Sequence, residues 1–289
     1  MEKDTTTLKK KDDLIRRLKE LDSLLVAFSG GVDSTFLLAL AHQVLGDRVV
    51  AATASSITYP SREREEAVKF TSERRIQHIV FRSDEDSLPE FISNGPDRCY
   101  HCKKFLCQSL IKIADEKGLK YVAHAANLDD LKDYRPGLKA AEEMGIISPL
   151  VDAQLSKGEI RLLSKEMGLA TWDKPAMACL ASRIPYGSPI TPEKLKMVNE
   201  AEEFLSRNGF KQFRVRHHGP VARIEVESTD IAKITESEFR KRLVAELRQI
   251  GFLHIAVDLE GYVSGSLNRA VGKTSDRITP QKPVGSSTG

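Results

Sequence analysis

The most informative stretch of the sequence, residues 24–34, reads Leu24-Leu25-Val26-Ala27-Phe28-Ser29-Gly30-Gly31-Val32-Asp33-Ser34. Its first five residues are a continuous apolar run, typical of a buried strand, and a helical pattern follows over residues 35–45. The paired glycines allow a tight turn, and the N–H groups at the start of a helix attract an anion. The stretch therefore predicts a strand, a loop and a helix with a nucleotide phosphate site at Ser29, Gly30, Gly31, Asp33 and Ser34.

Strands alternate with helices over the first half of the chain. Further strand patterns lie at residues 49–54, 78–81 and 121–124, and helical patterns lie at 61–75, 100–117 and 156–167. This alternation predicts an α/β fold with a parallel, Rossmann-like sheet covered on both faces. Ligands of such sheets bind beyond the carboxyl ends of the strands, so we expect the loops to converge at 29–34, 55–60 and 125–130.

The remaining sequence predicts three further regions after a first domain at residues 1–170. Residues 171–191 are rich in proline and lack periodicity, which indicates a long irregular loop, and this loop carries Cys179. Residues 192–270 have the helix and strand patterns of a smaller C-terminal α+β domain. Residues 271–289 are rich in Ser, Thr, Pro and Gly and are expected to form a disordered tail.

Composition excludes several classes of protein. With 40% hydrophobic and 29% charged residues in a chain of 289, a disordered or fibrous protein is excluded. We find no long uncharged apolar run and no signal-peptide pattern, so we expect a cytoplasmic protein that does not bind a membrane. A formal net charge of +3 is too balanced to favour a nucleic-acid partner.

A second polar cluster follows the fourth predicted strand. Asn127 and Asp130 are expected at the same sheet edge as the glycine loop, with Arg135 shortly after them. Carboxylates in this place suit Mg²⁺, and an arginine can bind a phosphate through two hydrogen bonds. The alternative is a turn capped by Asn and Asp. A Walker-like Gly272-Lys273-Thr274 lacks the required earlier glycine, and we interpret it as chance.

The four cysteines fall into two groups. Cys99 and Cys102 are one turn apart at a predicted helix start, and Cys179 lies in the irregular loop. Three thiols suit an iron–sulfur cluster with one open iron, or a zinc site with a fourth ligand; an inert, buried Cys179 is the alternative. Cys107 is about 140° round the helix from Cys102 and is expected to pack as a small apolar residue.

The motifs together resemble two nested families. Ser29 to Ser34 resemble the signature of the PP-loop ATP pyrophosphatases. With residues 98–104, 127–137, 179–187 and 214–226 in that order, the sequence is similar to the LarE family over about residues 8–270. These are ATP-dependent sulfur transferases of nickel-pincer nucleotide biosynthesis. The resemblance implies ATP and Mg²⁺ as cofactors. It also implies adenylation of the carboxylates of pyridinium-3,5-biscarboxylic acid mononucleotide, followed by sulfur transfer to give thiocarboxylates.

The cysteine pattern is similar to that of three-cysteine LarE members, in which the matching thiols hold a 4Fe-4S cluster. The resemblance therefore implies that Cys99, Cys102 and Cys179 are cluster ligands. In single-cysteine members the residue matching Cys179 gives up its own sulfur, and this is the alternative. We expect a sulfide or cysteine-desulfurase sulfur source, and the family resemblance implies a homo-oligomer, a hexamer.

The anionic nucleotide substrate requires cations. Arg214 and Arg216 are predicted to point to one side of a strand and to bind the substrate phosphate, assisted by Arg183. Other charged residues of the second domain are expected to be surface charges, and the paired histidines to be loop structure: Glu202, Glu225, Asp230, His217 and His218. Three rival functions are a tRNA-thiolating PP-loop enzyme, an ammonia-using synthetase of the NAD or GMP type, and a zinc module without catalysis.

Overall fold

A computed structural model describes residues 2–132, 135–175, 178–263 and 266 of the chain. These residues divide into two compact units, Met1–Asn199 and Glu200–Gly289. The domain boundaries at 170 and 191 stay predictions. The predicted tail at 271–289 and the Walker-like motif lie outside the described residues.

The first unit alternates helices and strands as the sequence predicts. In chain order its elements are α1 (Glu2–Lys19), β1 (Leu24–Ala27), α2 (Val32–Leu45), β2 (Val49–Ser55), α3 (Ser61–Glu73), β3 (Gln77–Arg82), α4 (Pro89–Ile92), α5 (Arg98–Glu116), β4 (Tyr121–Ala123), α6 (Pro136–Glu143), α7 (Pro149–Asp152) and α8 (Lys157–Glu166). Helix α9 (Pro192–Arg207) begins in this unit.

The four strands of the first unit form one parallel sheet in the order β3-β2-β1-β4. Leu24 of β1 is paired with Val49 on one side and with Tyr121 on the other. Ile147 extends the sheet by a single parallel bridge to Ala123. The α/β fold class with a parallel sheet is therefore confirmed, and the carboxyl ends of all four strands lie at one edge.

Alternate residues of β1 face two different cores. Leu24 and Val26 pack with α1, α2 and α8 in one core, whereas Leu25 packs with α5 in the other. Because side chains alternate across a strand, a strand buried on both faces must be apolar throughout. The uninterrupted apolar run of residues 24–28 is thereby explained.

Helix α1 is an element that the sequence patterns above do not predict. Its composition is mostly charged, yet Leu14 and Leu18 are fully buried in the core beneath α2. An amphipathic helix needs only a narrow apolar stripe, which is easily hidden among lysines and aspartates. Among the described residues, no helix is long and apolar enough to span a membrane.

The second unit holds a small mixed sheet. After α9 come β5 (Phe213–His218), β6 (Val221–Val226), α10 (Ile231–Thr235), α11 (Ser237–Ile250) and β7 (His254–Val257). The sheet order is β5-β6-β7, with β5 and β6 antiparallel and β6 and β7 parallel. The expected C-terminal α+β arrangement is present, with α10 as an additional short helix.

The two loop glycines provide the first test of this fold. Gly30 has a left-handed φ of +71°, whereas Gly31 has a φ of −77° that any residue adopts. We expect Gly30→Ala to lower the free energy of unfolding by about 1–2 kcal/mol, because a Cβ is disfavoured at that φ. Gly31→Ala should be neutral or stabilising. Equal effects of the two substitutions in urea denaturation would contradict the loop conformation.

Candidate functional site

The glycine loop lies at the carboxyl end of β1 and is held by its own hydroxyl groups. The Ser29 amide donates to Ser34 Oγ at 3.3 Å, and the two serine hydroxyls are 3.1 Å apart. Ser34 Oγ also donates to the Gly31 carbonyl at 3.1 Å. Gly31 caps α2, and the first N–H groups of a helix have no partner within the helix. The loop therefore presents a preformed anion site at a helix start.

Asp33 in the first turn of α2 is the acidic group of this site. Its Oδ2 accepts from Lys157 Nζ at 2.6 Å and from Asn127 Nδ2 at 3.4 Å. Its Oδ1 is buried and has no hydrogen-bond partner among the described residues. Burial raises the pKa of Asp33 above the usual range, although Lys157 acts in the opposite direction. A buried carboxylate with a free oxygen suits a hard cation such as Mg²⁺.

The predicted Asn127 cluster adjoins Asp33. The backbone N–H of Asn127 donates to Asp130 Oδ2 at 3.0 Å, and Asp130 Oδ1 lies 2.7 Å from Arg135 Nη1. Asn127 is buried, whereas half of the Arg135 side chain is exposed. The structure thus brings Asn127 to the glycine loop and pairs Asp130 with Arg135.

Three of the four thiols come together in the first unit. Cys99 is exposed, and Cys102 and Cys179 are half-buried against one apolar cluster. Burial raises the pKa of the Cys102 thiol, and the neighbouring Cys179, Glu85 and Cys99 raise it further. Among the described residues, however, no group of three or more His, Cys, Asp or Glu could hold a metal ion as it stands.

The fourth thiol lies elsewhere. Cys107 is fully buried in the core between the sheet and α5. The prediction that it packs as a small apolar residue is confirmed.

Arg98 and Asn94 join the two thiol-bearing segments. Arg98 Nη1 donates to Asn94 Oδ1 and, at 3.1 Å, to the Ala181 carbonyl. Arg98 Nη2 lies 3.6 Å from Cys99 Sγ. Asn94 Nδ2 donates to the Pro185 and Ser188 carbonyls, each at 2.8 Å. The start of α5 is thereby tied to the loop that carries Cys179.

Lys174 ties the same irregular loop to the glycine loop. Its Nζ donates to the Gly30 carbonyl at 3.2 Å and forms ion pairs with Glu63 at 2.7 Å and Glu66 at 2.6 Å. Cys179 follows only five residues later, which is at most about 18 Å of extended chain. The Leu180 amide donates to the Thr58 carbonyl at 2.8 Å, just beyond β2, so Cys179 lies at the same edge of the sheet as the glycine loop.

Arg183 is fully buried within the loop that carries Cys179. Its Nη1 donates to the Ala178 carbonyl at 2.6 Å and to the Cys179 carbonyl at 3.1 Å. These bonds fix the backbone on both sides of the Cys179 side chain. A role of Arg183 in substrate binding stays a prediction.

Arg214 and Arg216 lie on β5 of the second unit, and both are buried rather than solvated. Arg216 forms a bidentate ion pair with Glu225: Nε donates to Oε1 at 2.9 Å and Nη2 donates to Oε2 at 2.8 Å. The Arg214 guanidinium lies over the Tyr262 ring, 4.9 Å from its centroid. Phosphate binding by Arg214 and Arg216 stays a prediction.

The expectation of a surface charge is wrong for two residues of the second unit. Glu225 is 1% exposed because it pairs with Arg216 and Arg223, and Glu202 is 5% exposed and accepts from the Val215 amide at 3.0 Å. Buried carboxylates need such partners. Asp230 is half-exposed. The expectation of loop structure is wrong for His217 and His218, which both lie on β5.

Sequence reasoning missed several residues of the site because their partners are distant in the chain. Glu85 is 3% exposed, accepts from Thr58 Oγ1 at 2.8 Å, and its charge adds to the raised pKa of the Cys102 thiol. His124, at the end of β4, is 7% exposed and bonds Ser148 Oγ at 2.7 Å. Burial lowers the pKa of His124 to about 3, and the Lys103 charge adds to this effect. The position of His124 at a strand end was the available signal.

Comparison with known proteins finds relatives that align with most of this chain. The chain is 43% identical over 264 residues to an uncharacterised protein of Synechocystis sp., covering 91% of this chain and 98% of that protein. It is 36% identical over 269 residues to pyridinium-3,5-bisthiocarboxylic acid mononucleotide synthase of Lactiplantibacillus plantarum, covering 93% and 97%. One component of the glutamine-hydrolysing GMP synthase of Pyrococcus furiosus is 24% identical over 231 residues, 70% of this chain and 71% of that component. No protein-family model matches the chain.

Removing the Asn94 side chain tests the connection between the thiol segments. Asn94 is fully buried and has a φ of +56°. We expect Asn94→Ala to lower the free energy of unfolding by about 2–4 kcal/mol, because buried acceptors lose their donor and alanine is disfavoured at that φ. Alkylation of Cys179 should also become faster. Ser93→Ala, at an exposed neighbour, is the control; equal stability of the two variants would contradict the connection.

The buried His124 predicts a pH dependence of stability. The unfolded chain binds a proton on this histidine near pH 6.5, whereas the folded chain resists it until about pH 3. Stability is therefore lost as the pH falls below 6.5. Between pH 7 and 5 we expect wild type to lose about 2 kcal/mol more than His124→Gln in denaturant titrations. Parallel pH profiles of the two proteins would contradict a neutral buried His124.

Proposed function

The chain belongs to the LarE family, the pyridinium-3,5-bisthiocarboxylic acid mononucleotide synthases within the PP-loop superfamily, and we propose that it catalyses the ATP-dependent sulfur transfer of that family. In this proposal the substrate is pyridinium-3,5-biscarboxylic acid mononucleotide. Its carboxylates are adenylated and then converted to thiocarboxylates. The observation that carries the proposal is the junction of two sites by one loop: Lys174 contacts the glycine loop, and Cys179 follows five residues later.

Adenylation is assigned to the glycine loop. A carboxylate oxygen of the substrate attacks the α-phosphorus of ATP, and pyrophosphate leaves. The amides at the start of α2 and the hydroxyls of Ser29 and Ser34 are placed to bind that anion. Asp33, which has one oxygen without a partner among the described residues, would hold Mg²⁺ together with Asp130. The metal ion supplies neutralisation of the phosphate charge.

Nucleotide contacts beyond the loop are assigned to Asn127 and Arg135. Asn127 orients Asp33 through its side-chain amide, and the half-exposed Arg135 can exchange its bond to Asp130 for a phosphate oxygen. Lys157 neutralises Asp33 in the ligand-free chain.

Sulfur transfer is assigned to the thiol site. Three thiols are the donor set that a 4Fe-4S cluster with one open iron requires, so Cys99, Cys102 and Cys179 fit the group in their chemistry. The three cysteine side chains would have to move closer together to bind the cluster, since the described residues hold no metal-binding group as they stand. When bound, such a cluster supplies sulfide at its open position. Arg98 and the bonds from Arg183 hold the Cys179 backbone in place.

The grouping of three thiols favours this assignment over sacrifice of Cys179. Burial raises the pKa of Cys179 despite the lowering effects of Arg98, the Ala181 amide and the Thr58 hydroxyl. A lone sulfur donor does not require two further thiols at its side, whereas a cluster does. Sacrificial donation from Cys179 is the competing route.

The remaining assignments complete the proposal. Arg214 and Arg216, with Arg183, are proposed to bind the substrate phosphate, and the chain is proposed to act as a homo-oligomer, a hexamer. Sulfur would come from sulfide or a cysteine desulfurase. Residues 1–170 are proposed to form the ATP-binding domain, residues 171–191 the loop that carries Cys179, and residues 192–270 a domain for substrate binding and oligomerisation.

Anaerobic turnover tests the proposal. The protein is mixed with ATP, Mg²⁺, a sulfide source and the biscarboxylate nucleotide, and both product and protein are measured by mass spectrometry. We expect several thiocarboxylates per chain with Cys179 intact. Cys99→Ala and Cys102→Ala should abolish product, because each removes a metal ligand, whereas Cys107→Ala is the matched control and should retain it.

Two other results would overturn parts of the proposal. A single turnover with loss of H₂S from Cys179 would support sacrifice, and a colourless protein with one zinc per chain would exclude the cluster. Absence of both AMP and thiolated product would reject the enzymatic assignment.

A further inference from the structure

A histidine that the chemistry above does not use is connected to the glycine loop by hydrogen bonds. His78 lies on β3 and is half-buried. Its Nε2 lies 2.8 Å from Thr53 Oγ1 on β2, and its Nδ1 lies 2.9 Å from Thr71 Oγ1 on α3. Both threonines are buried, so the imidazole ring bridges two hydroxyl groups that are withdrawn from water.

Thr53 extends this connection to the glycine loop. Its hydroxyl donates to the Phe28 carbonyl at 2.7 Å. That carbonyl belongs to the same planar peptide group as the Ser29 N–H, which donates to Ser34 Oγ at 3.3 Å. Thr53 and Ser34 therefore hold the two ends of one peptide group, and together they set the direction of the Ser29 N–H.

The single hydrogen of a hydroxyl group determines the direction of these bonds. Because Thr53 gives its hydrogen to Phe28, the donor between His78 and Thr53 is the Nε2–H of the histidine. Burial lowers the pKa of His78, which favours the neutral ring, and a neutral ring carries only one N–H. Its Nδ1 then accepts from the Thr71 hydroxyl. The other acceptors within reach of Thr71 are helix carbonyls, which already accept from amides of α3.

Helix α3, which carries Thr71, also packs directly against the glycine loop. A Cβ added to Gly30 would lie 3.5 Å from the Cβ of Ala67 on this helix. The ring of Phe28 contacts the ring of His78, with 6.0 Å between their centroids. The hydrogen-bonded groups are thus enclosed by packing and keep a defined geometry.

We propose that His78 is a positioning residue of the phosphate site. Its Nε2–H holds the Thr53 hydroxyl against the Phe28 carbonyl, and this bond fixes the start of the glycine loop for binding of the pyrophosphate part of ATP. An anion site binds tightly when its N–H groups are already oriented, because less ordering then opposes binding. The inference rests on the proposed function only for ATP as the ligand of the loop.

Binding of inorganic pyrophosphate with Mg²⁺ to the whole chain, measured by titration calorimetry, tests this role without any turnover. We expect Thr53→Val and His78→Leu each to raise Kd at least fivefold, because each removes a hydrogen bond on which the position of the Phe28 carbonyl depends. His78→Gln should stay within twofold of wild type, because its side-chain amide still donates to Thr53.

Two exposed residues of the second unit provide matched controls. Thr235→Val and His254→Leu repeat the same chemical changes outside the first unit and should match wild type. Urea denaturation of every variant separates a loss of affinity in a folded protein from a loss of the fold. If His78→Leu does not fold, Thr53→Val carries the comparison, and Thr53→Ser, which keeps the hydroxyl, should restore the wild-type Kd.

The outcomes separate the role of His78 from the enzymatic proposal. A Kd within twofold of wild type for folded Thr53→Val or His78→Leu would overturn it. An equal loss in His78→Gln and His78→Leu would overturn it as well, since the N–H donor would then not matter. If wild type binds pyrophosphate but forms no thiocarboxylate, only the proposed function fails, and the Kd comparison still decides the role of His78. If wild type binds neither pyrophosphate nor ATP, both proposals are overturned.

Discussion

The buried guanidinium of Arg98 is the constraint on which the candidate site depends. Arg98 is 3% exposed, so its donors must find acceptors within the protein. These acceptors come from two separate segments, Asn94 before α5 and Ala181 in the irregular loop. Moving the segments apart would leave a charge buried without partners, which is among the most costly changes a folded protein can suffer.

This constraint explains how an irregular loop can hold Cys179 in a fixed place. The described part of residues 171–191 has little regular structure, yet Lys174 bonds to the glycine loop and Asn94 bonds to Pro185 near the far end. Between the two attachments lies Cys179, whose backbone Arg183 holds in addition. The parallel sheet supplies the other half of the site, because strand ends and helix starts meet at its carboxyl edge.

Local sequence patterns were sufficient for the sheet and the glycine loop. The apolar run before Ser29 and the glycines after it specify strand, turn and helix without help from distant residues. The same reasoning failed for α1. Its buried leucines are recognisable as core residues only from their packing with α2. It also failed for Asn94 and Glu85, because the residues they contact lie 90 and 27 positions away in the chain. Burial and pairing of this kind are properties of the tertiary structure. The buried state of Glu225 likewise depends on Arg216 of the neighbouring strand.

The central claim is that a substrate carboxylate is first adenylated at the glycine loop and then attacked by sulfur from the adjoining thiols. A substrate labelled with heavy oxygen in its carboxylates tests this order most directly. We expect one labelled oxygen in AMP for each carboxylate converted, because the oxygen that attacks the α-phosphorus leaves with it. Label in pyrophosphate or phosphate, or thiocarboxylate formed with unlabelled AMP, would contradict the claim.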